Sequence, residues 1–530
     1  MVFENVSQKA YFSYVFPCVV LLKDLVDAGA SWNSSRTCLI GTRNADIDDV
    51  TTWAYSNITD PAKKVRLICG VAGSGKTSIA NTLALNFDSA GVLAATFFFS
   101  RNYADKSTSA NVISTIVRDL AAFDDDFRMS LCTTLDQAHN LAGTSDLKRQ
   151  FEELWLKPAC RFQSNPDRRI VVIIDALDEC TANRAELLAI FTLLPSLPSN
   201  FRIILTGRNN ADILEMEHAG SFALHELSVG INVASDIEMF IKAQLSPLEK
   251  DLQTNWRGKS TLTVLVESSS GLFIWASTAC KFILGVPGKQ YWRPMRLKQV
   301  LESADALKGD IDELYRTALK DVDWNAPETP EFVPAYQKLV GTIMLTKVPL
   351  SVAALADLHE EHVDMVRAVL GNFGALLCGF QSKDNPVTPL HASFHDFITD
   401  PKRCDPTQLY FIDRKDHSKR IILTCLNRMV TQFDNICCAL KEPWAKRTND
   451  SPNEVTVRSE DIRYASNYWI DHVLDYDGQD VDLVDKVYEF LSVHSLSWLE
   501  VTSFQKQSRT ASESLARLLV WAKVTCLHFL

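Results

Sequence analysis

A chain of 530 residues is too long for one hydrophobic core, and ordinary domain sizes predict about three or four units. Apolar residues at 46% and charged residues at 22% exclude a disordered chain, and a formal net charge of -11 argues against a broad nucleic-acid surface, which needs clustered Lys and Arg. Thirteen cysteines without a C-x-x-C pair or zinc-like spacing read as buried thiols in a reducing compartment rather than as a disulfide framework.

Residues 1–36 read as an N-terminal helical segment. The apolar run from Val15 to Leu22, with Pro17 inside it, is too short to span a bilayer. Lys23, Asp24 and Asp27 interrupt it, and no net positive charge precedes it. An amphipathic helix continuing through Asp27 therefore fits better than a secretory leader. No other stretch reaches membrane length, so a soluble cytoplasmic chain is expected. After the polar break Asn33-Ser34-Ser35-Arg36 comes Cys38-Leu39-Ile40-Gly41-Thr42-Arg43, then a helix with Ile47, Val50 and Trp53-Ala54 on one face.

From Val65 to His225 short apolar runs alternate with helix-like stretches. The runs are Val65–Cys69, Val92–Phe99, Ile170–Ile174, Phe201–Thr206 and Ser221–Leu224. They predict an α/β unit, a parallel five-stranded sheet with helices on both faces. Beyond about Asn232 the strands stop and helical periodicity continues, so the chain is mostly α. A Pro-containing break at Trp324–Pro330 separates residues 231–323 from 331–400, a small helical unit with a short hairpin near Leu376–Pro389. Residues 401–530 read as helical again, interrupted by a polar loop at about Lys441–Ser459.

Gly70-Val71-Ala72-Gly73-Ser74-Gly75-Lys76-Thr77 matches G-x-x-x-x-G-K-[ST] between a strand and a helix, the P-loop arrangement. Polyphosphate binding needs inward backbone N–H groups and a helix N-terminus, which Gly70, Gly73, Ser74, Gly75 and Ser78 supply. Lys76 would reach the β and γ phosphates and the Thr77 hydroxyl would hold Mg²⁺. The run Ile170–Ile174 ends in Asp175, a carboxylate at the carboxyl edge of the sheet and the second candidate metal ligand. Asp178 and Glu179 either polarise the attacking water or form an acidic pair at a helix start. Arg208, after the strand ending Thr206-Gly207, either faces the γ phosphate or lies on the surface. His391 and His395 are four apart, but Ala392 stands where a zinc protease needs Glu, so no metal site is expected there.

The ordered set resembles the NACHT branch of the STAND NTPases, in the nephrocystin-3-like form abundant in filamentous fungi. Besides the P-loop, it is carried by Cys38–Arg43, Ala95–Arg101, Asp175–Cys180, Thr206-Gly207-Arg208, Gly271-Leu272-Phe273-Ile274-Trp275-Ala276 and His391–Phe397. The resemblance implies a P-loop NTPase domain at 37–230, a helical domain at 231–323, a winged-helix-like domain at 331–400 and a C-terminal helical region at 401–530. It implies a signalling switch that binds ATP or GTP with magnesium, hydrolyses it weakly, and opens to a homo-oligomer in the triphosphate form. Fungal self/non-self recognition or programmed cell death would be its setting. Gly41, Thr42 and Arg43 would lie near the base and ribose, and His391 would touch the β phosphate of bound diphosphate. Read from the residues alone, His391 is a core or capping histidine. Ala176 departs from the glycine many NACHT proteins carry there, and the usual effector and sensor patterns are not read here. A catalytically inert nucleotide-binding scaffold and a small-molecule phosphotransferase are the alternative functions.

Overall fold

The computed structural model describes residues 22–528 except 23–24, 139–140, 142–143, 161–167, 219–221, 228–232, 249–258, 286–289, 303–308, 325–330, 441–458, 479 and 506. Most of the expected N-terminal helix and the expected polar loop after Leu440 therefore lie outside the described residues. The chain divides into two units, Met1–Cys280 with Lys298–Gly309, and Lys281–Leu297 with Asp310–Leu530.

In the first unit five strands form one parallel sheet in the order β2-β3-β4-β1-β5. They are β1 (Val65–Cys69), β2 (Leu93–Phe98), β3 (Ile170–Asp175), β4 (Phe201–Gly207) and β5 (Ala223–Glu226). Every residue of β3 and β4 is buried, as a strand covered on both faces should be. Alternate side chains go to opposite faces. Ile68, Val171, Ile173 and Ile204 pack with α1 (Asn44–Tyr55) and α2 (Lys76–Ser89) through Ile47, Val50, Ile79, Leu83 and Phe87. Leu67, Val172, Ile174, Ile203 and Leu205 pack on the other face with Ile116, Leu120, Trp155, Leu187 and Phe191. The two apolar cores cover the two faces of the sheet, and its carboxyl edge is left for chemistry.

Two expectations shift. The last strand runs two residues further than its apolar run, through His225 and Glu226. At this edge only β1 pairs with it, and its side chains alternate between half-buried and exposed. The helix expected to continue through Asp27 is absent from the described residues 25–33. There the backbone bonds outward instead: Phe98 N–H donates to the Ala30 carbonyl (2.8 Å) and Ala28 N–H to Thr115 Oγ1 (3.2 Å). Leu25, Ala28 and Ala30 enter the larger core while Val26 stays exposed, so the segment packs as an irregular strap.

The second unit is helical. Its longer members include Phe332–Leu345, Arg414–Leu440, Glu460–Asp475, Val481–Phe504 and Ser508–His528. The expected hairpin forms as β6 (Leu377–Cys378) antiparallel to β7 (Thr388–Pro389), followed by helix Ala392–Thr399. Trp324 packs against Phe332, Tyr336, Phe373 and Tyr410, and its indole donates to the Leu319 carbonyl (2.9 Å). Residues 401–413, expected to be helical, form turns. Pro401 and Pro406 lack the N–H a helix needs, and Asp400 and Asp405 accept from Lys402 N–H and Thr407 N–H, both 2.9 Å. Among the described residues no helix is long and apolar enough to cross a membrane.

Candidate functional site

The site begins where β1 ends. Between Cys69 and helix α2 the chain turns through Gly73 (φ +77°) and Gly75 (φ +100°), a backbone region that side-chain-bearing residues rarely adopt. A Cβ on Gly73 would also lie 1.9 Å from Ile274 Cγ2, so no larger residue fits beneath Ile274. Gly75 caps α2 without a side-chain bond, leaving the first N–H groups of the helix to whatever occupies the loop. Lys76 is buried and donates to the Gly70 and Val71 carbonyls (2.8 and 2.9 Å). Burial lowers its pKa, against the opposing pull of Asp178 and Asp175. The Ser74 hydroxyl is buried with no hydrogen-bond partner, an orphaned polar atom inside the loop.

Opposite the loop stands the end of β3. Asp175 is 1% exposed, and burial pushes its carboxyl up to about 6, while hydrogen bonds from Thr206 and Thr77 pull it down. Because β4 lies between β3 and β1, Thr206 comes up between Asp175 and the loop. Its Oγ1 donates to Asp175 Oδ1 (2.5 Å) and accepts from Ala176 N–H (2.9 Å), fixing the carboxylate plane. Ala176 takes φ +61°, a left-handed conformation that costs about 1–2 kcal/mol for a residue with a Cβ. That is the physical content of the departure from glycine at this position.

Leu177–Glu179 then makes one 3-10 turn rather than a helix start. Asp178 is buried and paired with Arg208, whose Nε lies 2.7 Å from Oδ2 and whose backbone N–H donates to Oδ1 (3.1 Å). Arg208 is thus held by Asp178 rather than lying loose on the surface. Glu179 Oε2 accepts from Arg101 N–H (3.1 Å). Burial pushes its carboxyl up to about 7, so at neutral pH it can hold or release a proton.

On the other flank Thr42 and Arg43 are buried. Arg43 Nη2 donates to the Ser74 carbonyl (2.8 Å), Nη1 to Asp46 (3.2 Å), and its backbone N–H to Asp236 Oδ2 (2.8 Å). The guanidinium lies 5.3 Å from the centre of the Phe273 ring. So Gly70–Ser78, Asp175, Asp178, Glu179, Arg208, Thr42 and Arg43 gather around the loop within the first unit. His391 belongs to the second unit. There its Nδ1 caps helix Ala392–Thr399 by accepting from Ser393 N–H (3.1 Å), and Ser393 Oγ bonds Tyr315 (2.8 Å).

Reasoning from sequence missed Thr206 and Arg101 as working residues, although both lie in segments that carried the family pattern. It also missed Asp46, Asp236 and Phe273, which position Arg43. The orphaned Ser74 hydroxyl, the free helix start and the buried Asp175 beside Thr77 fit a polyphosphate with a hard divalent cation, which takes oxygen ligands.

Residues 46–208 match the family described as Nephrocystin 3, N-terminal. The Vegetative incompatibility protein HET-E-1 of Podospora anserina is 24% identical over 486 residues, covering 84% of this chain and 33% of that protein. The chain therefore spans about a third of the length of this curated relative. A STAND protein with a tetratricopeptide repeat sensor from Pyrococcus horikoshii superposes with a TM-score of 0.43 at 11% identity, over 94% of this chain and 58% of that one. A Walker-type ATPase of Pyrococcus abyssi gives 0.33 at 14% identity, over 67% of this chain and 95% of that one. With the P-loop, the strand-end aspartate and the matched region 46–208 in one order along the sheet, these similarities support a NACHT-type STAND P-loop NTPase.

Proposed function

We propose that this chain is a nucleotide-dependent signalling switch. It takes ATP or GTP with Mg²⁺ in the Gly70–Thr77 loop, hydrolyses it weakly, and couples exchange of diphosphate for triphosphate to opening and self-association. The observation that carries this reading is the buried Asp175 carboxyl, hydrogen-bonded by Thr206 and Thr77 where a glycine loop meets a helix N-terminus. When bound, magnesium would supply positive charge that offsets the negative charge of the phosphates. Thr77 and Asp175 are the residues that would hold it, directly or through water.

Lys76 has a flexible stem that can leave the Gly70 and Val71 carbonyls for phosphate oxygens. Gly70, Gly73, Ser74, Gly75 and Ser78 line the phosphate cradle, with Thr42 and Arg43 on the base side. Glu179, poised near neutrality, accepts the proton of an attacking water. The Asp178–Arg208 pair senses the γ phosphate by trading one anionic partner for another. Weak hydrolysis suits a switch, since positioning and charge stabilisation do most of the work in phosphoryl transfer.

Around this centre we assign 1–36 as an N-terminal segment, 37–230 as the NTPase domain and 231–323 as the helical domain. Residues 331–400 are the winged-helix-like domain and 401–530 the C-terminal helical region. His391 contacts the β phosphate of bound diphosphate in the closed form, where a histidine can both donate and gain charge. The kinship with a vegetative incompatibility protein supports a role in fungal self/non-self recognition or cell death. Size-exclusion chromatography with light scattering tests the switch. A monomer with Mg·ADP and an oligomer with a non-hydrolysable triphosphate are expected, and His391→Ala should oligomerise even with ADP. Equal masses in both nucleotides would overturn the switch, and a melting shift with ATP without hydrolysis would identify an inert scaffold.

A further inference from the structure

His225 stands on β5, next to Ile68 of β1, on the sheet face covered by α1. Its two ring nitrogens face the two carboxylates that α1 presents three residues apart. Nε2 is 3.0 Å from Asp46 Oδ1 and Nδ1 is 3.0 Å from Asp49 Oδ2. Arg66 of β1 lies against both Asp49 and Nδ1 (2.5 and 3.3 Å) and over the Trp53 ring. An ionised carboxylate only accepts. Whether Nδ1 accepts from Arg66 or donates to Asp49, the proton directed at Asp46 is therefore the one on Nε2. The ring side chain is 14% exposed, so this bond is largely shielded from water.

Asp46 carries the constraint onward. Its Oδ1 accepts from His225 and its Oδ2 from Arg43 Nη1 (3.2 Å), so each oxygen has one partner and the carboxylate cannot rotate without losing both. Burial raises its pKa, but the bonds from His225 and Arg43 prevail and lower it, keeping the charge that holds Arg43. Arg43 then grips the Ser74 carbonyl at 2.8 Å. In a trans peptide the carbonyl and the N–H of the same unit point in opposite directions. Fixing the Ser74 carbonyl therefore fixes the direction of the Gly75 N–H, one of the groups that would meet phosphate.

We propose that His225 is a positioning residue for nucleotide, acting through Asp46 and Arg43 on the Ser74–Gly75 peptide of the loop. The proposal rests on the nucleotide-binding reading above. It places a determinant of affinity on the edge strand, away from the loop and outside the P-loop pattern.

Titration of the purified chain with Mg·ADP separates the outcomes. H225A should weaken binding about tenfold, the size of one buried charge-assisted hydrogen bond. Gln carries an N–H near the place of Nε2 and Asn near the place of Nδ1. H225Q should therefore bind within about twofold of wild type and H225N as weakly as H225A, a contrast that a packing role would not produce. In an R43A background, H225A should cause no further loss, since the route to the loop is already cut. H225A with wild-type affinity, H225Q as weak as H225N, or an equal loss in the R43A background would each overturn the proposal. Should H225A fail to fold, the Gln and Asn variants carry the comparison. A wild-type chain that binds no Mg·ADP overturns the nucleotide-binding reading and this proposal with it. A binding-competent wild type with unaffected H225A overturns this proposal alone.

Discussion

Replacing Glu179 by Gln should stabilise the nucleotide-free protein, and only on the alkaline side. Glu179 is half-buried near Asp178 and Asp175, and desolvation is the main reason its carboxyl rises from 4.5 to about 7. The folded pKa lies above the unfolded one, so the native state holds a proton that the unfolded chain has released. This contribution to stability is complete below about pH 4.5 and is lost as pH rises through about 7. At about 1.4 kcal/mol for each pH unit, the interval corresponds to about 3 kcal/mol. Gln resembles the protonated form and titrates nowhere. Urea denaturation followed by circular dichroism, without nucleotide or magnesium, should find E179Q near wild type at about pH 5 and more stable by up to about 3 kcal/mol at about pH 8. Asp175, raised from 3.8 to about 6, imposes a second loss over a lower range in both proteins and so cancels from the comparison. The variant should also bind Mg·ATP and turn it over more slowly. An E179Q protein no more stable than wild type at alkaline pH, or equally stabilised at both pH values, would refute the placement of this carboxyl.

Three further substitutions probe other parts of the site. Lys76→Ala should leave the fold intact and abolish saturable Mg·ATP binding in a fluorescence titration, and normal affinity would contradict the P-loop assignment. Thr206→Val strips Asp175 of a donor and the Ala176 N–H of its acceptor. At about 1–3 kcal/mol for each of these two buried polar groups left unmade, it should destabilise the chain by about 2–6 kcal/mol, and Thr206→Ser should recover most of that. A loss under about 1 kcal/mol in urea denaturation would contradict the bonding described. Gly73→Ala drives a Cβ into Ile274 and imposes φ +77° on alanine. Adding Ile274→Ala should remove the 1.9 Å contact with Cγ2 and recover part of the loss, leaving the 2.7 Å contact with the Cβ of residue 274 and about 1 kcal/mol of backbone strain, whereas full recovery of thermal stability would contradict both.

Local features of this molecule were legible in the sequence. The β1 limits, the glycine loop, the helix starting at Lys76 and the strand ending at Asp175 each depend on residues close together, and each lies where pattern and turn chemistry put it. The insertion of β4 between β3 and β1 was not legible, because the β1–β4 pairing joins residues as far apart as Val65 and Ile203 and leaves no local mark. Thr206 owes its importance to that insertion: in sequence it is one threonine at a strand end, and in the fold it bonds Asp175 and Ala176 at once. The strap at residues 25–33 was misread for a related reason. Its apolar residues suit a helix face, but their partners are Thr115 and β2, far along the chain. The edge strand extended past its apolar run because His225 and Glu226 are polar and carry no hydrophobic signal. His225 lay in that extension.

The most direct test of the account is equilibrium titration of the chain with a fluorescent ATP analogue, with and without magnesium. Saturable binding that magnesium strengthens, and that Asp175→Asn separates from the metal-free affinity, is the expected result. A flat signal in both conditions, or saturable binding indifferent to magnesium and to Asp175→Asn, would contradict a metal-bound polyphosphate between Thr77 and Asp175.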